Sequence, residues 1–434
     1  MKKYKIVILV CAFTLLGIFT CRVSKTSNVY EENENNQMKK QVNTISMMLE
    51  TEAGSGKYEM TTRDSWPTEG YVFNESLSKC ENGGELSWDD TNKKVLMSGN
   101  ISDKCYVYFD IETKVFLADY VKSLYTGTQG DNNIYYHDSS LENGAGDNSY
   151  RYAGSSETTN NYVCFGSDAD TCPEDNLYRI IGVFDGKVKL IKSTGTTNTL
   201  LGTDGTYTSN SRSYAWTDLD SCPSTTAYKF DNNVVVLSNK NILGAVPDGG
   251  KSGCNMWKYS NLNSVNLNTN FITNLGIKWA ALVDNATWKV SGYSTANVTA
   301  KTMYTAEITN ATKTYGPSDG TSKIGLMYAS DYGFAASPSA WTTLLSSYND
   351  SSIKSTNWIY NAGMEWTMTP YSSDSYSVFI LSYVSTVSNT GNLGTWSSLG
   401  AAAGFGTRPA MYLNASVVYT RGSGTASDPI RIEI

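Results

Sequence analysis

Six cysteines, Cys80, Cys105, Cys164, Cys172, Cys222 and Cys254, follow an apolar N-terminal segment. That combination constrains the fold more than any other feature of the chain. Lys2, Lys3 and Lys5 precede an apolar run from Ile6 to Thr20, and Arg22 and Lys25 follow it. Positive charge ahead of a short apolar stretch keeps the N-terminus inside and directs the rest outward. The run approaches the roughly 20 residues of a spanning helix. Residues 6–21 are therefore expected to meet a bacterial membrane as an uncleaved anchor, within a segment 1–27. Lipidation at Cys21 is the alternative, although Phe19 and Thr20 fit such a signal poorly. A cleaved signal would need small residues that are not well placed. In an exported chain an even cysteine set reads as disulfides. The simplest scheme pairs them sequentially: Cys80–Cys105, Cys164–Cys172 and Cys222–Cys254. A cysteine metal cluster would want Cys-x-x-Cys spacing, which does not occur.

Composition removes several functions. The net charge is −7, and beyond the extreme N-terminus there is no Lys/Arg block, so no nucleic-acid partner is expected. His137 is the only histidine. Metal sites that need two imidazoles are excluded, and a Ser-His-Asp hydrolase would have to use this one ring. Its neighbourhood, Ile134 to Ser140, reads as a polar loop, so no catalytic residue and no cofactor are assigned.

Along the chain, 28–58 reads as a stalk with a short helix, because Val42, Ile45, Met48 and Leu49 recur at helical spacing. Residues 59–112 read as a small all-β module, with strands at Tyr71–Phe73, Val95–Met97 and Cys105–Phe109 and a staple between Cys80 and Cys105. Residues 113–434 read as one display domain. A short helix is expected between Lys114 and Tyr125. The clearest hairpin joins Leu177–Phe184 to Lys187–Lys192 through Asp185-Gly186, the preferred pair for a type I′ turn. Leu262–Leu275 is expected to be helical. Trp279–Val283, Ile324–Tyr328, Val378–Val384 and Pro409–Val418 are expected to be strands. The class is α+β: a loop-rich antiparallel sheet with short helices.

Two candidate sites emerge from the pattern. Asp168, Asp170 and Asp175 bracket Cys172, and clustered oxygen ligands on a tight loop can hold calcium. The EF-hand spacing is missing, so a solvated loop is the competing reading. Aromatic residues make up 12% of the chain, with 30 Tyr. Trp257, Trp279, Trp288, Trp341, Trp358, Trp366 and Trp396 are expected to fill core for the most part. The Tyr residues, with Ser, Gly and Asn, suit an adaptable recognition surface. Trp366, Tyr371 and Trp396 are the candidate binding residues.

The segments Trp257–Leu262, Leu267–Phe271, Ile324–Tyr332 and Arg408–Leu413 resemble a stretch common in uncharacterised surface domains of gut bacteria, over roughly residues 160–430. More distantly, Gly363–Thr367, Val378–Ile380 and Gly404–Ala410 resemble the closing pattern of the formylglycine-generating-enzyme group. The resemblance implies a C-type-lectin-like fold. It does not carry the oxidase chemistry, because that group holds copper through a cysteine pair and nothing after Cys254 is a cysteine. The Glu-Pro-Asn and Gln-Pro-Asp signatures of calcium-dependent lectins are also missing. The resemblance makes Trp366 and Arg408 structural, with Glu365 the nearest carboxylate partner for a buried Arg408. The resulting expectation is a membrane-anchored extracellular protein that binds a glycan or protein ligand. The alternatives are an extracellular hydrolase that uses two carboxylates and a structural envelope component.

Overall fold

A computed structural model describes residues 45–67, 69–98, 103–208, 214–215, 257, 260–309, 321–361, 363–371, 391–394 and 404–433 in full, with the backbone alone of strand segments within 12–44, 226–237 and 378–389. Cys222, Cys254 and Trp396 lie outside the described residues, as does most of the segment 6–21. Within that segment, Ala12–Phe13 and Phe19–Thr20 pair as two short antiparallel strands. Among the described residues no helix is long and apolar enough to cross a membrane. The class is mixed α+β, with many strands and a few short helices. The chain divides into two compact units, Met1–Lys114 and Val115–Ile434.

In the first unit, strands β1 (Met38–Glu50), β2 (Tyr58–Met60), β3 (Tyr71–Phe73) and β4 (Lys79–Cys80) precede the hairpin of β5 (Glu85–Asp89) and β6 (Lys94–Ser98) and then β7 (Lys104–Ile111). The helix expected over Val42–Leu49 is instead part of β1. Strand period two puts Ile45, Met47 and Leu49 on one face, and all three pack into the small core around Val107, Phe109 and Trp66. β1 runs parallel to β7 from Thr44↔Lys104 to Leu49↔Phe109, and backbone pairing with a buried neighbour outweighs an ambiguous local period. β7 also pairs antiparallel with β3 and β4. Cys80 and Cys105 sit directly opposite each other and form a disulfide.

The second unit opens on α1 (Leu117–Ser123), which buries Leu117, Ala118 and Val121. Then come β8 (Ile134–His137), β9 (Ser149–Tyr152), β10 (Tyr162–Cys164), β11 (Leu177–Phe184) and β12 (Lys187–Lys192). A second disulfide joins Cys164 to Cys172. β8 occupies most of the segment, Ile134 to Ser140, that sequence patterning reads as a polar loop. The expected hairpin is present, with Asp185 and Gly186 both at positive φ. Further on lie α2 (Ala300–Tyr304), β13 (Ile324–Gly325), α3 (Ala329–Ala335), β14 (Glu365–Pro370) and β15 (Ala410–Tyr412). The main sheet is antiparallel in the order β8-β9-β11-β12-β15-β13, with β10 also paired to β11. Residues 262–275 are helical as expected. The strand expected at Trp279–Val283 is instead mostly helix, Ile277–Leu282, entered at Gly276 with φ +84°. A short apolar run does not by period distinguish a buried strand from a helix.

Strand register brings two cations onto one row. Tyr135, Arg151, Gly182, Lys189 and Tyr412 stand opposite one another across five strands. Residues directly opposite share a sheet face, so Arg151 and Lys189 flank a position with no side chain. A Cβ at Gly182 would press on the Tyr150 carbonyl oxygen and reach 3.2 Å from the Arg151 Cα. Gly182→Ala should therefore cost about 1–3 kcal/mol, as overpacking does. Urea unfolding of the full chain measures it, and an unchanged midpoint would contradict the steric conflict.

Candidate functional site

The face of this row is covered by α3. Asp331, on its first turn, reaches between the two strand cations. Asp331 Oδ2 lies 2.5 Å from Lys189 Nζ and Oδ1 lies 3.8 Å from an Arg151 nitrogen. On its other side Arg151 meets Asp147 at 2.6 Å. Its Nε donates to Ser149 Oγ, and the Tyr304 hydroxyl donates to Asp147 at 2.8 Å. The result is an alternating chain: Asp147, Arg151, Asp331, Lys189. Arg151, Lys189 and Asp331 are buried. Such charges persist in a dry interior only when paired and hydrogen-bonded.

Aromatic rings complete the cover. The Lys189 ammonium lies 4.4 Å from the Tyr328 ring centre and 5.5 Å from those of Trp288 and Tyr412. Arg151 lies 4.7 Å from Phe184, 4.9 Å from Phe334 and 5.0 Å from Tyr304. Ring faces attract cations most strongly where water is excluded. Burial pushes Lys189 below its ordinary pKa, against the pull of Asp331. Burial also works against Arg151, but Asp147 and Asp331 together hold it above its ordinary value. Burial would raise Asp147, yet Arg151, Ser149 and Tyr304 bring it down to about 2.

The α3 entry is anchored by side chains from three places. Asp331 accepts from the Tyr328 N–H at 2.9 Å, Thr369 Oγ1 from the Ala329 N–H at 3.0 Å, and Glu307 from the Ser330 N–H at 3.3 Å. These are helix-start donors without intrahelical partners. Glu307 is fully buried and also accepts from the Thr369 hydroxyl. Burial, helped by the nearby Asp331, pushes its carboxyl up to about 8, against the pull of Ser330 and Thr369. Glu307 is therefore largely protonated at neutral pH. Ser330 Oγ lies near enough to Glu307 to favour its ionised form, yet it completes no hydrogen bond.

A cavity of about 210 Å³ opens against this network, lined by Asp147, Ser149, Arg151, Lys189, Ser330 and Asp331, with Tyr304, Tyr328, Tyr412 and Phe184. Asp185, Thr287 and Lys289 stand exposed at its rim. Lys289 donates to the Ile308 carbonyl.

The residues singled out from sequence lie elsewhere. Trp366 is buried, donates to the Tyr214 carbonyl at 2.8 Å and packs on Phe405. Tyr371 is half-buried, and neither Trp366 nor Tyr371 lines this cavity. Asp168, Asp170 and Asp175 do not converge: Asp168 pairs with Lys278, Asp170 faces Arg421, and Asp175 faces Lys192. Each carboxylate turned to its own cation gives no shared oxygen cage. Among the described residues the only close set of three metal-ligand side chains is Cys80, Asp103 and Cys105, and its two sulfurs are spent on the disulfide. His137 is not a loop residue. It ends β8 fully buried, edge-on to Phe334, with Nδ1 accepting from the Ala145 N–H. Burial and the nearby Arg151 push it well below its ordinary range, so it stays neutral. Arg408 does pair with Glu365, at 2.7 Å.

The Tyr residues divide between core and surface. Tyr152, Tyr178, Tyr214, Tyr304, Tyr328, Tyr332 and Tyr348 are buried, and several spend their hydroxyls on internal carbonyls, as Tyr348 does on Gly333 and Ala340. These seven are core residues with a polar tip, while others, Tyr125, Tyr136 and Tyr150 among them, are partly exposed. Asp147, Arg151, Lys189, Glu307 and Asp331 were not identified as site residues from sequence. One signal was legible: Lys189 interrupts Val188, Leu190 and Ile191 in a hairpin expected to be buried, and a buried lysine demands a carboxylate. No protein-family model, curated protein or solved structure matches the chain.

Asp331→Asn leaves two buried cations short of charge and should cost about 3–5 kcal/mol, measured by urea unfolding; a loss no larger than that of a surface substitution would contradict the network. Glu307 binds its proton more tightly folded than unfolded. Its contribution is intact below its ordinary value of 4.5 and is lost as pH rises through about 8. Relative to the parent, Glu307→Gln should therefore gain thermal midpoint steadily between those limits. A difference that is flat with pH would rule out the buried acid.

Proposed function

We propose that this chain is a membrane-anchored extracellular surface protein whose larger unit binds a glycan or protein ligand. One observation carries the reading: the cavity over the Asp147–Arg151–Asp331–Lys189 chain. It combines ring faces with fixed hydrogen-bonding groups, which is the usual make-up of a recognition pocket, and its charged groups are held by partners rather than by solvent. The Cys80–Cys105 and Cys164–Cys172 disulfides support an oxidising compartment. Lys2, Lys3 and Lys5 ahead of the apolar run support export with an anchor at 6–21. The C-type-lectin-like assignment rests on the Gly363–Thr367 and Gly404–Ala410 resemblance, and the core positions of Trp366 and Arg408 suit the structural roles it implies.

A carboxylate-dependent hydrolase is the second reading. Its support is a protonated Glu307 close to Asp331, which is salt-bridged to Lys189. Glu307 does not line the cavity, which favours binding over hydrolysis.

The test places a bulky ring at the exposed rim. Full-length Thr287→Trp should retain the parent's unfolding midpoint while losing binding to a glycan array or to host-cell surface proteins. Equal binding by parent and variant would remove the cavity from the function. Release of reducing sugar by the parent, abolished in Glu307→Gln, would favour the hydrolase instead.

A further inference from the structure

The charge arithmetic of the cavity narrows its ligand. Inside, Asp147 and Asp331 face Arg151 and Lys189, so the walls carry two negative and two positive charges that are already paired. A ligand cation would find the nearby ring faces already approached by Lys189 and Arg151. A ligand anion would compete with Asp331 and Asp147 for those same cations. Either would leave one protein charge buried without its partner, a strongly unfavourable state. At the rim, Asp185 and Lys289 offer one charge of each sign, beside the Thr287 hydroxyl.

We infer, resting on the recognition reading above, that the cavity takes a neutral, polyhydroxylated ring: one unit of a sugar, bound without a divalent cation. A hydroxyl both donates and accepts, so one kind of group can serve the exposed Asp185, Lys289 and Thr287 at the rim. A zwitterion could pair with the two rim charges, but it would set an apolar body against Asp147, Ser149 and Asp331. Size agrees. The cavity's 210 Å³ falls short of the roughly 300–1,000 Å³ of sites for drug-sized ligands and suits one ring. The ring can come from a free sugar or from the terminal unit of a glycan.

The experiment titrates the full chain, in EDTA, with methyl glycosides of neutral hexoses. Glucuronate, glucosamine and glutamine serve as anionic, cationic and zwitterionic counterparts, followed by calorimetry. At least one neutral glycoside should bind with a Kd on the order of 1 mM or tighter, and the charged sugars at least about tenfold more weakly. Lys289→Ala should keep the unfolding midpoint and lose roughly fivefold or more in affinity, as expected when a bound hydroxyl loses its partner. Binding of the neutral glycoside to Thr287→Trp should disappear. If oligosaccharides ending in the same sugar bind as the free glycoside does, the natural source is a glycan end; if only the free glycoside binds, it is a free sugar. Both results agree with the inference. Equal or tighter binding of a charged probe, or affinity indifferent to Lys289→Ala, overturns the neutral class while leaving the recognition reading intact. Silence from every neutral glycoside also overturns it. If Thr287→Trp in addition leaves array and host-surface binding unchanged, the recognition reading falls with it.

Discussion

Two cations cannot share one face of a dry sheet unless something negative stands between them. Here Arg151 and Lys189 occupy one cross-strand row, separated by Gly182, and Asp331 supplies the charge from a different element. Much else depends on that placement. Gly182 must lack a side chain, α3 must present its first turn to the sheet, and the Tyr328 N–H is held by the same carboxylate. The ring cover around Lys189 keeps water from competing with Asp331. A hydrophobic trio could have filled the space with less risk, since buried ion networks seldom add net stability. Their presence beside a cavity is better understood as a polar lining held rigid from behind.

The buried carboxyl of Glu307 belongs to the same logic. Three backbone donors at the α3 entry need acceptors, and Asp331, Thr369 and Glu307 provide them from positions far apart in sequence. Glu307 serves in its neutral form, chiefly because it is fully buried and secondarily because Asp331 stands nearby. Rigidity at this turn fixes Ser330 and Asp331 against the cavity wall, which is what recognition of a small ring requires.

Legibility from sequence tracked the range of the forces involved. The Leu177–Lys192 hairpin was readable because Asp185-Gly186 encodes its own turn. The Cys80–Cys105 and Cys164–Cys172 bridges coincide with sequential pairing. β1 and β8 were not readable. β1 owes its form to parallel pairing with β7, and β8 lies in a segment whose composition is that of a loop. The site was the least legible part, because its residues are individually ordinary. Lys189, Asp331 and Arg151 become chemistry only when register and helix docking bring them together. Tyr abundance does not separate surface from core, since a residue suited to recognition surfaces is equally suited to a core that must satisfy stray carbonyls.

The position of β15 has a bearing on when this fold can exist. It lies inside the main sheet, between β12 and β13, although Ala410–Tyr412 come near the end of the chain. Chains are made from the N-terminus. Until Ala410–Tyr412 emerge, β12 presents an open edge and β13 lacks the strand it pairs with. Closure of the main sheet waits on residues more than 200 positions after β12, and a chain truncated shortly before Ala410 would lose an interior strand, not a tail.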